Sequence, residues 1–507
     1  MTHVRVVIVG AGFAGLGAAI ALRRSGEHSF VVLERAERVG GTWRDNTYPG
    51  VACDVPSHLY SYSFLPNPDW SHVFARGAEI RDYLERAAAG DGLEAHVRLG
   101  TAMTGMHWDE EWAVWRVRTT RGPLTADAVI LAAGRLTEPR IPDVPGIDTF
   151  TGDLMHSARW RDDVPLAGRR VAVIGTGASA VQLVPRLAEI AASVTVFQRS
   201  APWIVPRPDR AYSDDELEEF AAHPGVIERT RAGQFWEGEA MFAARAGDPN
   251  ALEAARQEAL DHLAAQVLDP VLRAQLTPDY EIGCKRRLLS DDYYPALTSG
   301  RVRLEASALA SVDDGVLVAA SGARIEADVV VFATGFETAE QPYASLVVGS
   351  HGQSLAEHWA RGMTAYASTT VHGFPNLFIV NGPNAGLGHN SAVYMIETQL
   401  SYVLGALDHL RDRGGVLEVD AEAERRYTAE IDRMAAPSVW LTGGCDSWYV
   451  DPRSGRLTLL WPGSAVAFRE RNGRFDPAPY GAPVPPPAHV SPTLEEEHHV
   501  AAHPIRL

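Results

Sequence analysis

Cysteine is nearly missing from this chain of 507 residues, with only Cys53, Cys284 and Cys445 present. Their spacing offers neither a CxxC pair nor a metal-ligand cluster. That points away from a cysteine-ligated metal cluster or a redox-active dithiol and towards buried or incidental thiols, as expected in a reducing cytoplasm. A basic surplus is lacking too. The 46 Lys and Arg face 64 Asp and Glu, a formal charge of -18, so no excess of cations exists to neutralise a nucleic-acid backbone. No apolar run is long enough to span a bilayer. Met1 leads straight into the apolar run Val4 to Val9, without the basic flank and small-residue cleavage site of a signal peptide. What the chain does have is length for two or three domains, a hydrophobic share of 46% and 12 Trp, the composition of a packed interior large enough to enclose a cofactor.

Two segments share one outline: an apolar, β-branched run, a glycine-rich turn, then an Ala/Leu-rich helix. They are Val4 to Arg24 and Val171 to Ile190, followed by the short apolar runs Phe30 to Leu33 and Val194 to Phe197. The expectation is an α/β protein with two Rossmann-like dinucleotide-binding folds on parallel sheets. Two similar strand-to-glycine endings, Ala128 to Gly134 and Asp328 to Gly335, bracket the second fold and predict that it is inserted in the first, both returning the chain to the first domain. Residues 213–275, rich in Ala, Glu, Leu and Arg, predict a helical excursion that is either a structural cap or a mobile lid over the substrate. From Pro477 the Pro-rich stretch and the Glu and His run after it predict an extended tail.

Gly10-Ala-Gly12-Phe13-Ala14-Gly15 follows a strand and opens a helix, where backbone amides meet a pyrophosphate. Glu34, at the end of the next strand, is placed to hold ribose hydroxyls. In the second fold, Gly175-Thr176-Gly177-Ala178-Ser179-Ala180 uses the permitted Ala at the third position, and Thr176 to Gln182 are expected to serve a second pyrophosphate. Counting places Arg199 where the first fold has Glu34. A carboxylate there would repel a 2′-phosphate, whereas a guanidinium pairs with it, so this site is expected to take NADPH, with Ser200 adding a hydroxyl.

Phe150-Thr-Gly152-Asp-Leu-Met-His156-Ser-Ala-Arg-Trp160 resembles the FxGxxxHxxxW fingerprint of type I Baeyer-Villiger monooxygenases, with Arg161 standing where that family has Pro or Asp. Trp160 favours this branch over related N- and S-oxygenating enzymes, which carry a smaller aromatic there. Gly40-Gly41-Thr42-Trp43, Tyr48-Pro49-Gly50 and Asp54 resemble the GGxW…YPGxxxD signature of the same enzymes. The likeness runs on through Ser61 to Phe64, Cys284-Lys285-Arg286, Asn381 to Pro383 and Trp461 to Gly463, covering roughly residues 4 to 470.

The resemblance implies that FAD occupies the first domain (1–140 and 326–476) and NADPH the second (141–212 and 276–325), with 213–275 a helical subdomain or lid and 477–507 the tail. It implies that NADPH reduces FAD, that O2 adds at flavin C4a, and that the resulting peroxide attacks a small-molecule ketone or sulfide. Arg286 is then the active-site arginine, Asp54 its carboxylate partner, Lys285 a phosphate contact, and Thr42, Trp43 and Tyr60 line the flavin. Phe150, Gly152, His156 and Trp160 form a linker that couples cofactor binding to domain position. His389-Asn390 reaches the flavin ring or forms a structural loop. No metal is expected, and the oligomeric state stays open. Rival classes are a heteroatom oxygenase, which uses the same chemistry on sulfur or nitrogen, and a non-catalytic flavin-binding redox sensor, which would lack Arg286.

Overall fold

In the computed structural model, which describes residues 2–90 and 92–481, two parallel sheets organise the chain. Their strands are buried on both faces, which is why the sequence shows unbroken β-branched runs rather than alternation. The first sheet places Val97–Arg98, Phe30–Leu33, Thr2–Val9 and Leu124–Leu131 side by side, with Leu377–Ile379 also against Leu124–Leu131. An antiparallel extension through Met103–Asp109 and Val114–Thr119 leads into Leu124–Leu131. The second sheet runs Val302–Glu305, Ser193–Phe197, Arg170–Ile174, Val329–Phe332 and Asp153–His156, all parallel.

One expectation is corrected here. Asp328 to Gly335 does not return the chain to the first sheet: Val329–Phe332 lies inside the second, between Arg170–Ile174 and Asp153–His156. Its likeness to Ala128–Gly134 arises because the two strands hold the same position in two copies of one fold. Leu124–Leu131 flanks Thr2–Val9 as Val329–Phe332 flanks Arg170–Ile174.

The excursion over 213–275 is helical: Asp214–Ala222, Pro224–Ala240, Phe242–Arg245, Pro249–Gln266 and Pro270–Leu276. Prolines open three of these helices at positions where no amide is needed. The excursion leaves and re-enters beside a two-stranded parallel pair, Ile204–Val205 with Leu288–Leu289. The loop carrying Cys284 to Arg287 is therefore set by the return strand. The tail reading is corrected at its start, since Ala478–Tyr480 form a 3-10 turn and Tyr480 is buried against Thr370 and Tyr402. Its remainder, 482–507, lies outside the described residues. Among the described residues no helix is long and apolar enough to cross a membrane.

Candidate active site

Both nucleotide turns sit at the carboxyl ends of their central strands. Gly10 has φ +103, and a Cβ there would lie 2.5 Å from the Ala132 carbonyl oxygen; Gly175 has φ +115 and the same 2.5 Å approach to Ala333. Only glycine permits either. The helices they open, Phe13–Arg24 and Ala178–Ile190, have no side-chain cap and no acidic residue in the first turn. Uncapped amides at a positive helix end suit a pyrophosphate. At Gly15 a Cβ would strike the Gly10 oxygen at 1.8 Å, while Ala180 occupies the matching place in the second turn, fully buried.

Glu34 is buried and takes hydrogen bonds from the Ala11 and Ala36 amides at 2.9 and 3.0 Å, with Arg44 at 2.8 Å. Phe13 and Trp43 meet Tyr60 edge to face, with ring centres 5.1 and 5.6 Å apart, and Thr42 opens the short helix that carries Trp43. An open glycine cradle, uncapped amides, a buried carboxylate and an aromatic wall fit an FAD.

In the second fold the counting is off by one. Gly10 N–H donates to the Leu33 carbonyl and Gly175 N–H to that of Phe197, so the counterpart of Glu34 is Gln198, buried and bonded to the Gln275 carbonyl. Arg199 is exposed one residue further out. Lys285 Nζ donates to Ser200 Oγ at 2.9 Å, and burial together with Arg199 draws the Lys285 ammonium below its usual range. Arg199, Ser200 and Lys285 thus form a cationic rim that fits a 2′-phosphate. Thr176 spends its hydroxyl proton on the Ser200 carbonyl, 3.0 Å away.

Between the folds, Arg286 Nε donates to Asp54 Oδ2 at 2.6 Å, and a terminal guanidinium nitrogen reaches the same oxygen at 2.6 Å. Their side chains are 30% and 26% accessible. Burial opposes ionisation of Asp54, but Arg286, and behind it Arg207, outweigh it and hold the carboxyl below its usual range. Asp54 in turn raises Arg286, with burial opposing. The pair is charged at every working pH.

Two residues expected near a cofactor have protein partners in the structure. The Gln182 side chain is committed to the other fold: it donates to the Ala52 carbonyl at 3.0 Å and accepts from Tyr48 at 2.8 Å. Asn390 is likewise spent on the helical excursion, donating to the Phe235 carbonyl and Glu239 and accepting from the Ser391 amide. His389 also bonds Glu239, so this loop anchors helix Pro224–Ala240. Their side-chain hydrogen bonds are thus made within the protein.

His156 lies at the end of strand Asp153–His156, accepts from the Ala158 amide at 3.1 Å and stands edge-on to Phe336. Burial lowers it to about 4, so it stays neutral at pH 7. Phe150 packs on Gly152, where a Cβ would meet its ring at 2.8 Å and the Asp328 carbonyl at 2.3 Å. Trp160 packs against the second fold's core, and Arg161 pairs on the surface with Asp163 and Asp153. The fingerprint residues thus pack beside the second sheet.

The thiol reading is also corrected. Cys284 and Cys445 form a disulfide across 161 positions, with Cα atoms 6.2 Å apart; only Cys53 is free and buried. Chain folding, not spacing, brings them together. Sequence reasoning further missed Arg135. It follows Gly134, just past strand Leu124–Leu131, is lowered to about 10 by burial, and faces Tyr449, Arg286, Tyr60 and Tyr343. A charge placed just past the carboxyl edge of a parallel sheet was the available signal.

Comparison with known proteins follows the same lines. Residues 7–231 match the family model described as pyridine nucleotide-disulphide oxidoreductase, a span that holds both nucleotide turns and neither half-cystine. The chain is 49% identical to a Baeyer-Villiger monooxygenase of Streptomyces coelicolor over 96% of its length and 94% of that protein's. Its structure matches cyclohexanone monooxygenase from Rhodococcus sp. Phi1 bound to NADP+ with a TM-score of 0.83 at 28% identity, covering 92% of this chain and 96% of that one. It matches OTEMO in complex with FAD and NADP with a TM-score of 0.82 at 27% identity, over 92% and 96%. On this identity and coverage, the chain belongs to the Baeyer-Villiger monooxygenases.

Proposed function

We propose that this flavoprotein converts a small ketone to its ester or lactone. One oxygen of O2 enters the product, the other leaves as water, and NADPH supplies the electron pair. The first fold holds FAD through Gly10, Gly12, Gly15 and Glu34, and the second holds NADPH through Gly175, Gly177, Arg199, Ser200 and Lys285. FAD, when bound and reduced, supplies the activation of O2. A cytoplasmic location fits the demand for NADPH. The Cys284–Cys445 bond is the observation that stands against it.

The Asp54–Arg286 pair carries this reading. Attack on a ketone carbonyl needs an anionic oxygen donor and passes through a tetrahedral oxyanion, whereas sulfur and nitrogen are attacked by a protonated, electrophilic donor. A guanidinium that stays charged, fixed by a partly buried carboxylate, stabilises negative oxygen beside it. Asp54 orients Arg286 through Nε and one terminal nitrogen, and Tyr449 also stands against the guanidinium.

The test is Arg286→Ala, assayed for FAD content and for lactone formed from a cyclic ketone with NADPH and O2. Retained flavin with ketone conversion lost, and aryl-sulfide oxidation surviving, supports the role. Ketone conversion at the wild-type rate removes it, and a wild type that oxidises only sulfides overturns the ketone reading.

A further inference from the structure

Arg245 closes the last turn of the short helix Phe242–Arg245 and is only 7% exposed. Among the described residues it makes no ion pair, and its Nε has no hydrogen-bond partner. Its one bond is a long one, from a terminal nitrogen to the Gly388 carbonyl at 3.5 Å. The nearby carboxylates are engaged elsewhere: Asp54 with Arg286, Glu258 with Arg287, and Glu239 with His389 and Asn390. Gly283 and Gly388 leave the room that the guanidinium fills, since a Cβ at Gly283 would collide with it and one at Gly388 would touch Nε at 3.6 Å. A buried, unpaired guanidinium is costly and is ordinarily matched by an anion.

Arg245 also lines a cavity of about 370 Å³ between the helical excursion and the loop leading to Arg286. Its other walls are small and apolar, among them Ala244, Ala251, Ala255 and Ile282, with Arg287 and Glu258 facing each other. Two guanidiniums against one carboxylate leave the cavity one positive charge in excess. Arg245 lies within electrostatic reach of Arg286. The cavity thus combines an aliphatic lining with a single unsatisfied cation whose planar fork matches a carboxylate.

We propose that Arg245 is a specificity-determining residue that receives a carboxylate of the substrate, so that the ketones this enzyme prefers are aliphatic keto acids rather than neutral ketones. This rests on the ketone-oxygenating reading above. The acid end is held by Arg245 and the chain lies along the alanine wall. Arg286 remains the group that serves the reacting carbonyl.

The test compares 7-oxooctanoate with its methyl ester, titrated by calorimetry into enzyme loaded with FAD and NADP+, using the wild type, Arg245→Met and Arg245→Lys. The wild type is expected to bind the acid about tenfold or more tighter than the ester, the size of one charge-assisted hydrogen bond. That ratio should collapse towards one in Arg245→Met and partly persist in Arg245→Lys. An ester bound as tightly as the acid by the wild type overturns the proposal even if no variant folds, and so does an undiminished ratio in Arg245→Met. Weakened NADP+ binding in Arg245→Met gives the residue to the coenzyme and also overturns it. Selective acid binding without ester or lactone formation would leave this subsite standing and sink the ketone-oxygenation reading instead.

Discussion

The two nucleotide folds align five parallel strands in the same order, and each ends its fourth strand in a glycine of positive φ, Gly134 at +76 and Gly335 at +84. They part at the second strand's end. The first fold buries Glu34 under two amides and Arg44, and the second leaves Arg199 exposed beside Ser200 and Lys285. A buried acceptor suits neutral hydroxyls of an enclosed cofactor. An exposed cationic rim suits a doubly charged phosphate on a coenzyme that comes and goes. Their fifth strands differ in origin as well, Leu377–Ile379 arriving late in the chain and Asp153–His156 preceding its own fold. Matching scaffolds thus present opposite charges just past the second strand.

The harshest way to break the comparison is at the shared glycine. Gly10→Val and Gly175→Val each impose a left-handed backbone on a branched residue, costing about 1–3 kcal/mol, and each drives a carbon into a carbonyl oxygen. Gly10→Val should purify without yellow colour. Gly175→Val should keep its flavin absorbance yet lose about a hundredfold or more in NADPH affinity, strain and collision together. Flavin lost from both variants, or from neither, would mean that the folds do not divide the cofactors in this way. Next in size is Arg199→Ala, whose NADPH over NADH preference should fall about tenfold to a hundredfold, as for a lost charge-assisted contact. Steady-state kcat/KM with each coenzyme measures it, and an unchanged ratio would move the 2′-phosphate elsewhere.

Much of this architecture was legible because strands buried on both faces and glycine turns leave local marks: the strands from Phe30 and Val194, both turns and the helices of 213–275 all carry them. What failed was long-range pairing. Asp328–Gly335 looked like a return to the first sheet because repeat copies resemble each other as much as two halves of one domain do. The Cys284–Cys445 bond closes over 161 positions, and no local pattern announces it. The same holds for the site. Glycines were readable and so was a charge near the second strand's end, though counting set Arg199 one place off, whereas the commitments of Gln182 to Tyr48 and of Asn390 to Glu239 depend on which faces meet after folding.

A gentler probe uses pH. Lys285 is lowered from its ordinary value, by burial first and then by Arg199. Its charge helps NADPH below that value and is lost as pH rises through it, earlier than for a free lysine. The NADPH over NADH preference should therefore decline on the alkaline side. The decline should be about fivefold, the scale of a partly exposed ion pair. Lys285→Arg should hold the ratio flat across the same range. A flat wild-type profile would exclude Lys285 from phosphate binding.

The smallest expected effect tests whether the two folds behave as one body. Tyr48 belongs to the first fold's loop and donates to Gln182 on the second fold's helix at 2.8 Å, and burial pushes Tyr48 up to about 12, so it remains a donor throughout the working range. Tyr48→Phe removes that bond and leaves an acceptor poorly satisfied, a loss of about 0.5–1.5 kcal/mol. For 507 residues at about 2.1 cal/mol/K of unfolding entropy each, that lowers Tm by roughly 1 °C. If the folds melt together, flavin release and tryptophan fluorescence should shift by the same amount in Tyr48→Phe, because the tie is shared. A shift in tryptophan signal with flavin release unmoved would instead show the NADP fold opening alone, and the interface holding Asp54 against Arg286 would then be the contact that binding of NADPH must close.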